Sequence, residues 1–395
     1  MRGWACIARL GGVGDNLVAA SPLRPLKRLG YKTEVITSAM AASVFFNNPF
    51  LDKLSVKQEG EIPGGDMWQT WFATRAGEYD IMVNLSNSME TLHALHRGST
   101  WFWWPQDFRR KMCAGSYLET AHDIVGVPHE FGPLFFPTED ELDRARRTRE
   151  EQIGGPYLTW VISGSRVDKA YPYAPHVICR ILSELKIPVV MVGVGPMQYE
   201  MAKVVQEDVM RSNSKLTGLH LALSPQDSDP GGHQHWSQRR SLTQAHFSNC
   251  VITPDTGVGW AVAMEPIPKI ALMSHASAEN ITKHWVNTTT LHADINRVPC
   301  WPCHRLHDDI STCVPAKDNP QAAACMADIS VQSILETVEK VWNESVAGRK
   351  KPRDIIGDDV NGYREAWEAG AAGKLYNPPI ISHRDEALEE IKHVD

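Results

Sequence analysis

The 395-residue sequence has no long hydrophobic run and no excess of positive charge. No apolar stretch approaches the roughly 20 residues that a membrane-spanning helix requires. The 40 Lys and Arg residues are outnumbered by 47 Asp and Glu residues, which gives a formal charge of −7. This balance excludes a protein held to DNA or to an anionic membrane mainly by bulk positive charge. The first residues enter a strand-like segment without a signal-peptide layout, so we expect a cytoplasmic protein.

The sequence also lacks repeats, low-complexity tracts and the composition of a disordered chain. Hydrophobic residues make up 43% and charged residues 22%, as in an ordinary globular protein. The sequence has 13 Trp residues, which is more than its 9 Tyr residues and also more than its 10 Phe residues. We expect these large flat side chains in cores or against a ligand. The length suits two domains, each able to bury its own core.

Short apolar runs alternate with longer helical stretches along both halves of the chain. The runs at 4–8 and 33–37 predict strands, and 17–29 predicts a helix between them. The same order begins again at 157–162, after a Gly-Gly-Pro break at 154–156. Strands buried on both faces and separated by helices indicate parallel sheets. We therefore expect an α/β protein with two facing Rossmann-like domains and a cleft between them, where ligands bind beyond the carboxyl ends of the strands.

The break at the Gly-Gly-Pro sequence sets the expected domain boundary. We place one Rossmann-like domain at 1–152 and a second at 153–342. A more charged C-terminal extension follows at 343–395, and we expect it to pack on the outside or across the domains.

A glycine-rich turn follows the first predicted strand. Gly11, Gly12 and Gly14 allow the backbone to turn sharply and to approach another molecule closely. The turn is not the G-x-G-x-x-G dinucleotide fingerprint. Asp15 comes directly after it, at the start of the next helix. Asp is a favoured helix cap, and a carboxylate here can also take a proton from an incoming hydroxyl, so both roles stay open.

Two further turns follow strands of the second half. Residues 254–259 have small side chains before a helix, where backbone N–H groups suit a phosphate, although an ordinary strand-to-helix turn is the alternative. Asp255 repels an anion, so we expect it to cap the helix or to hold a ribose hydroxyl. Residues 163–169 supply hydroxyl and basic groups that suit a diphosphate clamp. These groups belong to Ser163, Ser165, Arg166 and Lys169.

The three turns, in this order, resemble those of the ADP-heptose:lipopolysaccharide heptosyltransferases, which form glycosyltransferase family nine. The resemblance rests on RLGGVGDNLVAASP near the start, DKAYP at 168–172 and SLTQAHFSNCVITPDTGVGWAVAM at 241–264. It covers most of residues 1–342, but neither 224–240 nor the extension. It implies the GT-B architecture, with the acceptor bound by the first domain and the nucleotide sugar by the second. The segment 224–240 is either a surface loop or a wall of the donor pocket.

The resemblance implies an inverting glycosyl transfer from a nucleotide diphosphate sugar to an acceptor hydroxyl, without a cofactor or metal in catalysis. Asp15 matches the catalytic base, and Lys169 matches the residue that balances charge on the leaving phosphate. Trp260 stands where the family usually has His. Because that His donor is missing here, the donor sugar can differ from ADP-heptose. The turn 255–257 matches the one that receives the nucleotide diphosphate, and the full set of predicted donor-binding residues is Gly12, Gly14, Ser163, Ser165, Arg166, Asp255, Thr256, Gly257 and Trp260.

Two other functions fit the same architecture. One is a nucleotide-sugar 2-epimerase, and the other is a non-catalytic binding protein in which Trp260 marks lost activity. The acceptor stays open among lipopolysaccharide core, another glycan and a small metabolite, and a nucleic-acid base is disfavoured. We expect a monomer.

An aromatic segment at 101–105 is followed by basic residues, within the domain where the resemblance places the acceptor. Aromatic rings stack on sugars, and basic groups can meet a phosphate-bearing acceptor. Anchoring of a loop to the core is the alternative. The proposed acceptor-binding residues are Trp103, Trp104, Arg109 and Arg110.

Four of the eight cysteines fall within 26 residues of one another. Their C-x2-C pair is a common half of a tetrahedral zinc site. We predict a structural zinc site without a catalytic role, with reduced thiols and a disulfide as the alternatives. The four are Cys300, Cys303, Cys313 and Cys325.

Overall fold

In the computed structural model of the protein, the chain forms two compact units, each with its own parallel β-sheet. Unit 1 comprises 1–92, 117–138 and 360–395, and unit 2 comprises 93–116 and 139–359. The structure describes residues 3–58, 60–61, 67–86, 100–224, 236–304, 306, 313–347 and 380–382.

The strands and helices alternate along most of the chain. The strands are β1 (Trp4–Arg9), β2 (Lys32–Ser38), β3 (Lys53–Lys57), β4 (Ile81–Asn84), β5 (Leu158–Val161), β6 (Val189–Val194), β7 (Leu219–Ser224), β8 (Cys250–Thr253), β9 (Lys269–Met273), β10 (Thr288–His292) and β11 (Ile380–Ser382). The helices are α1 (Val13–Ala20), α2 (Leu23–Arg28), α3 (Met67–Ala76), α4 (Gln106–Cys113), α5 (Tyr117–Val125), α6 (Glu139–Arg147), α7 (Ala174–Arg180), α8 (Pro196–Ser212), α9 (Gln238–Ala245), α10 (Gly257–Ala261), α11 (Ala278–Ile281), α12 (Ala324–Ala327) and α13 (Val331–Ala347).

Unit 1 has a five-stranded sheet in the order β11-β3-β2-β1-β4, and every strand pair is parallel. The central strand β1 is buried on both faces, since Ala5, Cys6, Ile7 and Ala8 are all 0% exposed. Such burial requires helices on both sides and explains why the strand is apolar almost without interruption. The carboxyl end of β1 opens into the glycine-rich turn.

The helix predicted at 17–29 is two helices, α1 and α2. Pro22 is the N-cap residue of α2, and Pro25 lies inside that helix. Proline has no N–H to donate to the preceding turn, so one continuous helix through these positions is disfavoured. The prediction was wrong about continuity, although both segments are helical.

Unit 2 has a six-stranded parallel sheet in the order β10-β9-β8-β5-β6-β7. The strand order turns back at β5 and β8, which are neighbours at the centre of the sheet. At such a point, the loops after the two strands diverge to opposite faces and leave space for a ligand. The turn 163–169 follows β5, and the turn 254–259 follows β8.

The predicted α/β fold class, with two Rossmann-like parallel sheets, is confirmed. The compact units depart from the predicted domain limits in three segments. Residues 93–116 and 139–152 belong to unit 2, and the C-terminal strand β11 pairs with β3 in unit 1. Within the described ranges, no helix is both long enough and apolar enough to cross a membrane.

Candidate functional site

The turn between β1 and α1 holds Asp15 against its own backbone. Gly12 is the N-cap residue of α1, and its N–H donates to Asp15 Oδ2 at 3.0 Å. A carboxylate at the third helical position that reaches back to the N-cap forms one half of a capping box. A Cβ at Gly11 or at Gly12 would lie 3.2 Å from this oxygen, so the turn favours glycine there. Asp15 therefore caps the helix from its third position.

Arg9 holds the same carboxylate oxygen from the end of β1. Its Nη2 lies 3.1 Å from Asp15 Oδ2, and its Nη1 donates to the Leu85 carbonyl oxygen at 2.6 Å. The Arg9 side chain is 3% exposed, whereas that of Asp15 is 38% exposed. Asp15 Oδ1 has no hydrogen-bond partner among the described residues. One oxygen is thus fixed, and the other faces an approachable surface of unit 1.

Asn16 fixes the shape of the glycine-rich turn from inside unit 1. It is 0% exposed, and its Nδ2 donates to the carbonyl oxygens of Gly11 at 3.2 Å and Gly12 at 2.9 Å. Thr37 Oγ1 donates to Asn16 Oδ1 at 2.7 Å, which ties the turn to β2. The sequence analysis missed both Arg9 and Asn16, although each is a polar residue in an apolar run beside Asp15.

The turn after β5 contains an internal ion pair. Arg166 Nε lies 2.9 Å from Asp168 Oδ1, and Ser163 Oγ donates to the Arg166 carbonyl oxygen at 2.8 Å. Ser165 is exposed at the outer part of the turn. Arg166 Nη2 is buried and has no hydrogen-bond partner among the described residues. The turn therefore contains a neutralised ion pair, and Arg166 has one buried nitrogen without a hydrogen-bond partner among the described residues.

The turns after β5 and β8 are joined by Lys169 and Asp255. Lys169 Nζ donates to Asp255 Oδ2 at 2.8 Å and to the Asp255 carbonyl oxygen at 2.9 Å. The two side chains are 10% and 16% exposed, so the pair is largely shielded from water. Burial would raise the pKa of Asp255, but Lys169, His275 and a hydrogen bond from Trp260 together hold that pKa below its ordinary value.

The structure assigns the helix cap of this turn to Thr256 rather than to Asp255. Thr256 is the N-cap residue of α10, and its side chain accepts from Gly259 N–H at 3.4 Å. Both carboxylate oxygens of Asp255 are engaged elsewhere, since Oδ1 accepts from Trp260 Nε1 at 2.9 Å. The expectation that Asp255 caps the helix is wrong because its side chain turns towards Lys169.

Trp260 is a buried structural residue and offers no ring face to a ligand. Its side chain is 2% exposed and meets Trp285 edge to face, with ring centroids 5.1 Å apart. The Gly259 Cα is so close to Trp285 that an added Cβ would lie 2.6 Å from that ring. Trp260 is predicted to bind the donor, but the core encloses its ring and leaves no face for direct contact with a ligand. Its link to the site runs through Asp255.

Gly164 and Gln198 complete the contact between these turns. A Cβ on Gly164 would lie 2.6 Å from Lys169 Cδ and 3.4 Å from the Asp255 carbonyl oxygen. Gln198 Nε2, on α8, donates to the Gly164 carbonyl oxygen at 3.1 Å. No sequence signal pointed to Gln198, because its role depends on α8 packing behind the turn.

The proposed acceptor-binding residues lie in unit 2 rather than in unit 1. Trp103 is 75% exposed, whereas Trp104 packs edge to face on Phe108 at 4.9 Å. Arg109 packs over Phe102 and donates to the Leu306 carbonyl oxygen at 3.3 Å. Of this set, Trp103 presents an open aromatic face, and Arg109 is occupied in anchoring the segment. Arg110 Nε is buried without a hydrogen-bond partner among the described residues.

The four clustered cysteines are free thiols that lie near one another. Burial is the largest cause that raises the pKa of Cys325 to about 12, and Cys303, Cys300 and Cys313 raise it further. Within the described part of the chain, no group of three or more His, Cys, Asp or Glu residues is arranged to hold a metal ion. The four thiols do not form such a group in this arrangement, and the structural zinc site stays a prediction.

Two segments named in the sequence analysis fall mainly outside the described residues. These are the loop 224–240, of which 225–235 is not described, and the extension 343–395 apart from 343–347 and 380–382.

Solved structures of known proteins share this fold. A glycosyl transferase of family 9 from Veillonella parvula DSM 2008 matches 87% of this chain and 98% of its own, with 14% identity and a TM-score of 0.59. The E. coli ADP-heptose lps heptosyltransferase II matches 88% of this chain and 100% of its own, with 14% identity and a TM-score of 0.54. The iron-containing dodecameric glycosyltransferase TibC of enterotoxigenic E. coli H10407 matches 87% of this chain and 77% of its own, with 14% identity and a TM-score of 0.52.

No protein-family model matches the sequence, and no curated protein matches it. At 14% identity, the likeness to the solved structures establishes the fold alone. The chain therefore has the fold of these glycosyltransferases, and its activity must be argued from its own side chains.

Proposed function

We propose that the protein is an inverting glycosyltransferase that moves a sugar from a nucleotide diphosphate sugar to an acceptor hydroxyl. The observation that supports this most directly is the Asp15 carboxylate at the carboxyl end of β1. Its Oδ2 is held by Arg9 and by the Gly12 N–H, while Oδ1 has no partner among the described residues. The fold shared with sugar transferases gives the same function independent support.

Asp15 acts as the general base in this proposal. The acceptor oxygen attacks the anomeric carbon from the face opposite the diphosphate, and the sugar–phosphate C–O bond breaks as the new C–O bond forms. Asp15 Oδ1 takes the hydroxyl proton, and the bonding pair leaves with the diphosphate. Because Arg9 and the Gly12 N–H fix Oδ2, the direction of Oδ1 is set before the acceptor arrives.

Lys169 and Arg166 stabilise the leaving diphosphate. Lys169 donates two hydrogen bonds to Asp255, so one N–H of its ammonium group is left for a phosphate oxygen. Arg166 adds a second positive charge on the same turn. Cations that are already oriented need little reorganisation as negative charge develops. The hydroxyls and backbone N–H groups of the donor turns complete the set; they belong to Gly12, Gly14, Ser163, Ser165, Thr256 and Gly257.

The carboxylates near these turns favour a metal-independent transfer. Asp255 uses Oδ1 for Trp260 and Oδ2 for Lys169, and Asp168 is paired with Arg166. A divalent cation would have to displace Trp260 or Lys169 to bind Asp255, and it would compete with the positive charge of Arg166 at Asp168. The cations of the chain itself therefore balance the diphosphate charge.

We also propose that the aromatic segment contacts the acceptor, chiefly through Trp103. Its 75% exposure gives a sugar or another ring a face on which to stack. Trp104, Arg109 and Arg110 support that segment. The monomeric state and the cytoplasmic location stay predictions.

The substitution Asp15→Asn tests the base. Asparagine keeps an oxygen for the Gly12 N–H but cannot take a proton, so we expect turnover to fall by about 10²- to 10⁴-fold. Binding of the donor should stay within about twofold, measured as a thermal shift with nucleotide diphosphate sugars. Asp123→Asn is the matched control, since that exposed carboxylate of unit 1 forms an ion pair with His129 and lies outside the proposed site.

Normal transfer by the Asp15→Asn protein would contradict the assignment of the base. A donor that is isomerised in the absence of any acceptor would instead support the 2-epimerase. A thermal shift with a nucleotide sugar, but no turnover on any acceptor extract, would support the non-catalytic binding protein. The absence of a shift with every nucleotide sugar would contradict the proposal as a whole.

A further inference from the structure

A small cavity, lined mainly by charged and hydroxyl-bearing residues, lies between α6 and α9 of unit 2 and shares no residue with the turns described above. Its volume is about 40 Å³. A cavity needs roughly 10–15 Å³ to hold one water molecule, so this one admits a larger group. It is lined by Glu141, Arg144, Ala145, Ser237, Arg240 and Thr243.

Two guanidinium groups meet at this cavity, and neither forms an ion pair with any other described residue. Arg144 is exposed on α6, and Arg240 lies on α9, where it packs over the Trp236 ring at 4.5 Å. Arg240 Nε is buried and has no hydrogen-bond partner among the described residues. Burial first, and then the charge of Arg144, lower the pKa of Arg240. An anion between the two groups would relieve both effects.

The carboxylate at the cavity is already committed to another arginine. Arg239 Nε donates to Glu141 Oε1 at 2.5 Å, and Arg239 Nη2 donates to Oε2 at 2.8 Å. This bidentate ion pair engages both carboxylate oxygens of Glu141. The neighbouring Arg240 is left without a counterion in the described chain. The cavity therefore keeps a net positive charge.

The hydroxyl groups at the cavity add a further donor. Ser237 Oγ accepts the Arg240 backbone N–H at 3.3 Å, so its proton is available to donate. Thr243 Oγ1 donates to the Arg239 carbonyl oxygen at 2.9 Å. The cavity thus offers guanidinium N–H groups and one O–H, which is the donor set that an oxyanion requires.

We propose that this cavity binds a phosphate group between Arg144 and Arg240, with Ser237 as an additional donor. Planar guanidinium groups match the oxygen spacing of phosphate better than ammonium groups do. The group belongs either to free inorganic phosphate or to a phosphorylated sugar. This site is separate from the proposed donor turns and does not depend on the proposed activity.

The test is a calorimetric titration of the full chain with inorganic phosphate at constant ionic strength. We expect Arg144→Gln and Arg240→Gln each to weaken phosphate binding by about tenfold or more, since each loses a charge-assisted hydrogen bond. Arg240→Lys keeps the charge but loses the planar fork, so its affinity should fall between those of the glutamine variant and the unchanged protein. Arg147→Gln is the control, because Arg147 is exposed on the same helix and does not line the cavity. Since Arg144 is exposed, its variant is expected to fold.

A parallel titration with a hexose 6-phosphate separates the two sources. Tighter binding than that of inorganic phosphate identifies a phosphorylated sugar, and equal binding identifies the free ion. Three results would overturn the site: no phosphate binding at all, equal weakening by the Arg147 control, or binding that is lost in Lys169→Ala but kept in both cavity variants. The last result would assign the phosphate to the donor turns.

Discussion

The indole N–H of Trp260 connects the core of unit 2 to the turns after β5 and β8, which we propose to bind the donor. Trp260 donates to Asp255, and Asp255 accepts from Lys169, so the position of the ammonium group depends on a residue that no ligand touches. The Asp255 side chain is only 16% exposed, and an acceptor that loses a partner in such a place keeps much of the cost of its desolvation. Trp260 is therefore a positioning residue that acts through Asp255.

The substitution Trp260→Phe should lower the free energy of unfolding by about 1–3 kcal/mol and weaken donor binding several-fold, because Asp255 loses one of its partners. Urea unfolding measures the first effect, and donor KM measures the second. The control is Trp285→Phe, which removes a similar ring area next to it. The Trp285 Nε1 has no hydrogen-bond partner among the described residues, so its removal costs no hydrogen bond. Equal donor KM values for the two variants would contradict the positioning role.

At the residue scale, the sequence indicated the residues that we propose for the site but not the side chains that hold them in place. Asp15 and Lys169 could be named because turns after buried strands restrict where side chains go. Their partners could not, since Arg9 reaches Asp15 across the turn and Trp260 reaches Asp255 through the core. Such contacts depend on three-dimensional packing, which the spacing of residues along the sequence does not indicate.

The two turns of unit 2 are packed so closely that one position between them has no room for a side chain. Gly164 faces both Lys169 and Asp255. Replacing Gly164 by alanine tests whether the spacing of the turns controls the position of the Lys169 ammonium group.

Gly164→Ala should displace Lys169, because the new Cβ would lie 2.6 Å from Lys169 Cδ. Overpacking of this kind costs about 1–3 kcal/mol, and we expect weaker donor binding together with a lower unfolding midpoint. Thermal shift with and without nucleotide diphosphate measures both effects. Gly77→Ala is the control, since its Cβ would meet only the Thr74 carbonyl oxygen, at 3.8 Å. Unchanged nucleotide binding in Gly164→Ala would show that Lys169 is not held by this contact.

At the element scale, strand β9 shows why some strands escaped prediction. It begins with Lys269, which is 0% exposed and donates to the carbonyl oxygens of Glu265 at 2.7 Å and Ile267 at 2.8 Å. Burial lowers the pKa of Lys269 to about 7. In a sequence, a charged residue next to a short apolar run is typical of the end of a loop. Here the lysine instead satisfies the backbone of the turn that enters the strand.

At the scale of the whole molecule, the repeated strand–helix order was enough to predict two parallel sheets. It did not predict that β11, from the C-terminal extension, joins the sheet of unit 1. It also did not predict that 93–116 associates with unit 2. Asn280 Nδ2 donates to the carbonyl oxygens of Cys113 at 3.1 Å and Gly115 at 2.6 Å, contacts between residues more than 160 positions apart. Contacts between segments so far apart in the chain leave no local pattern in the sequence.

Protonation of two buried histidines should lower the stability of the molecule as the solution is acidified from about pH 6.5 to pH 4, against an opposing contribution from Glu265, whose pKa burial raises to about 7. Burial lowers the pKa of His246 to about 4, with smaller contributions from Lys269 and Arg239, and it lowers the pKa of His304 to about 4 as well. At these two histidines the unfolded chain takes up protons near pH 6.5, before the folded one, so their protonation favours unfolding throughout this window. Below about pH 4 both states are protonated, and these two groups add no further slope.

His246→Gln should reduce the loss of stability between pH 6.5 and pH 4, because an amide does not titrate. The amide also keeps a donor for the Leu242 carbonyl oxygen, which lies 2.9 Å from His246 Nδ1. A difference of about 2.5 pKa units corresponds to roughly 3 kcal/mol between pH 7 and pH 4 for each histidine. Urea unfolding at a series of pH values measures this slope. His176→Gln changes an exposed histidine of the same unit and should leave the slope as it is. If His246→Gln loses stability as steeply as the unchanged protein over this window, the buried imidazole is not the group whose protonation opens the fold.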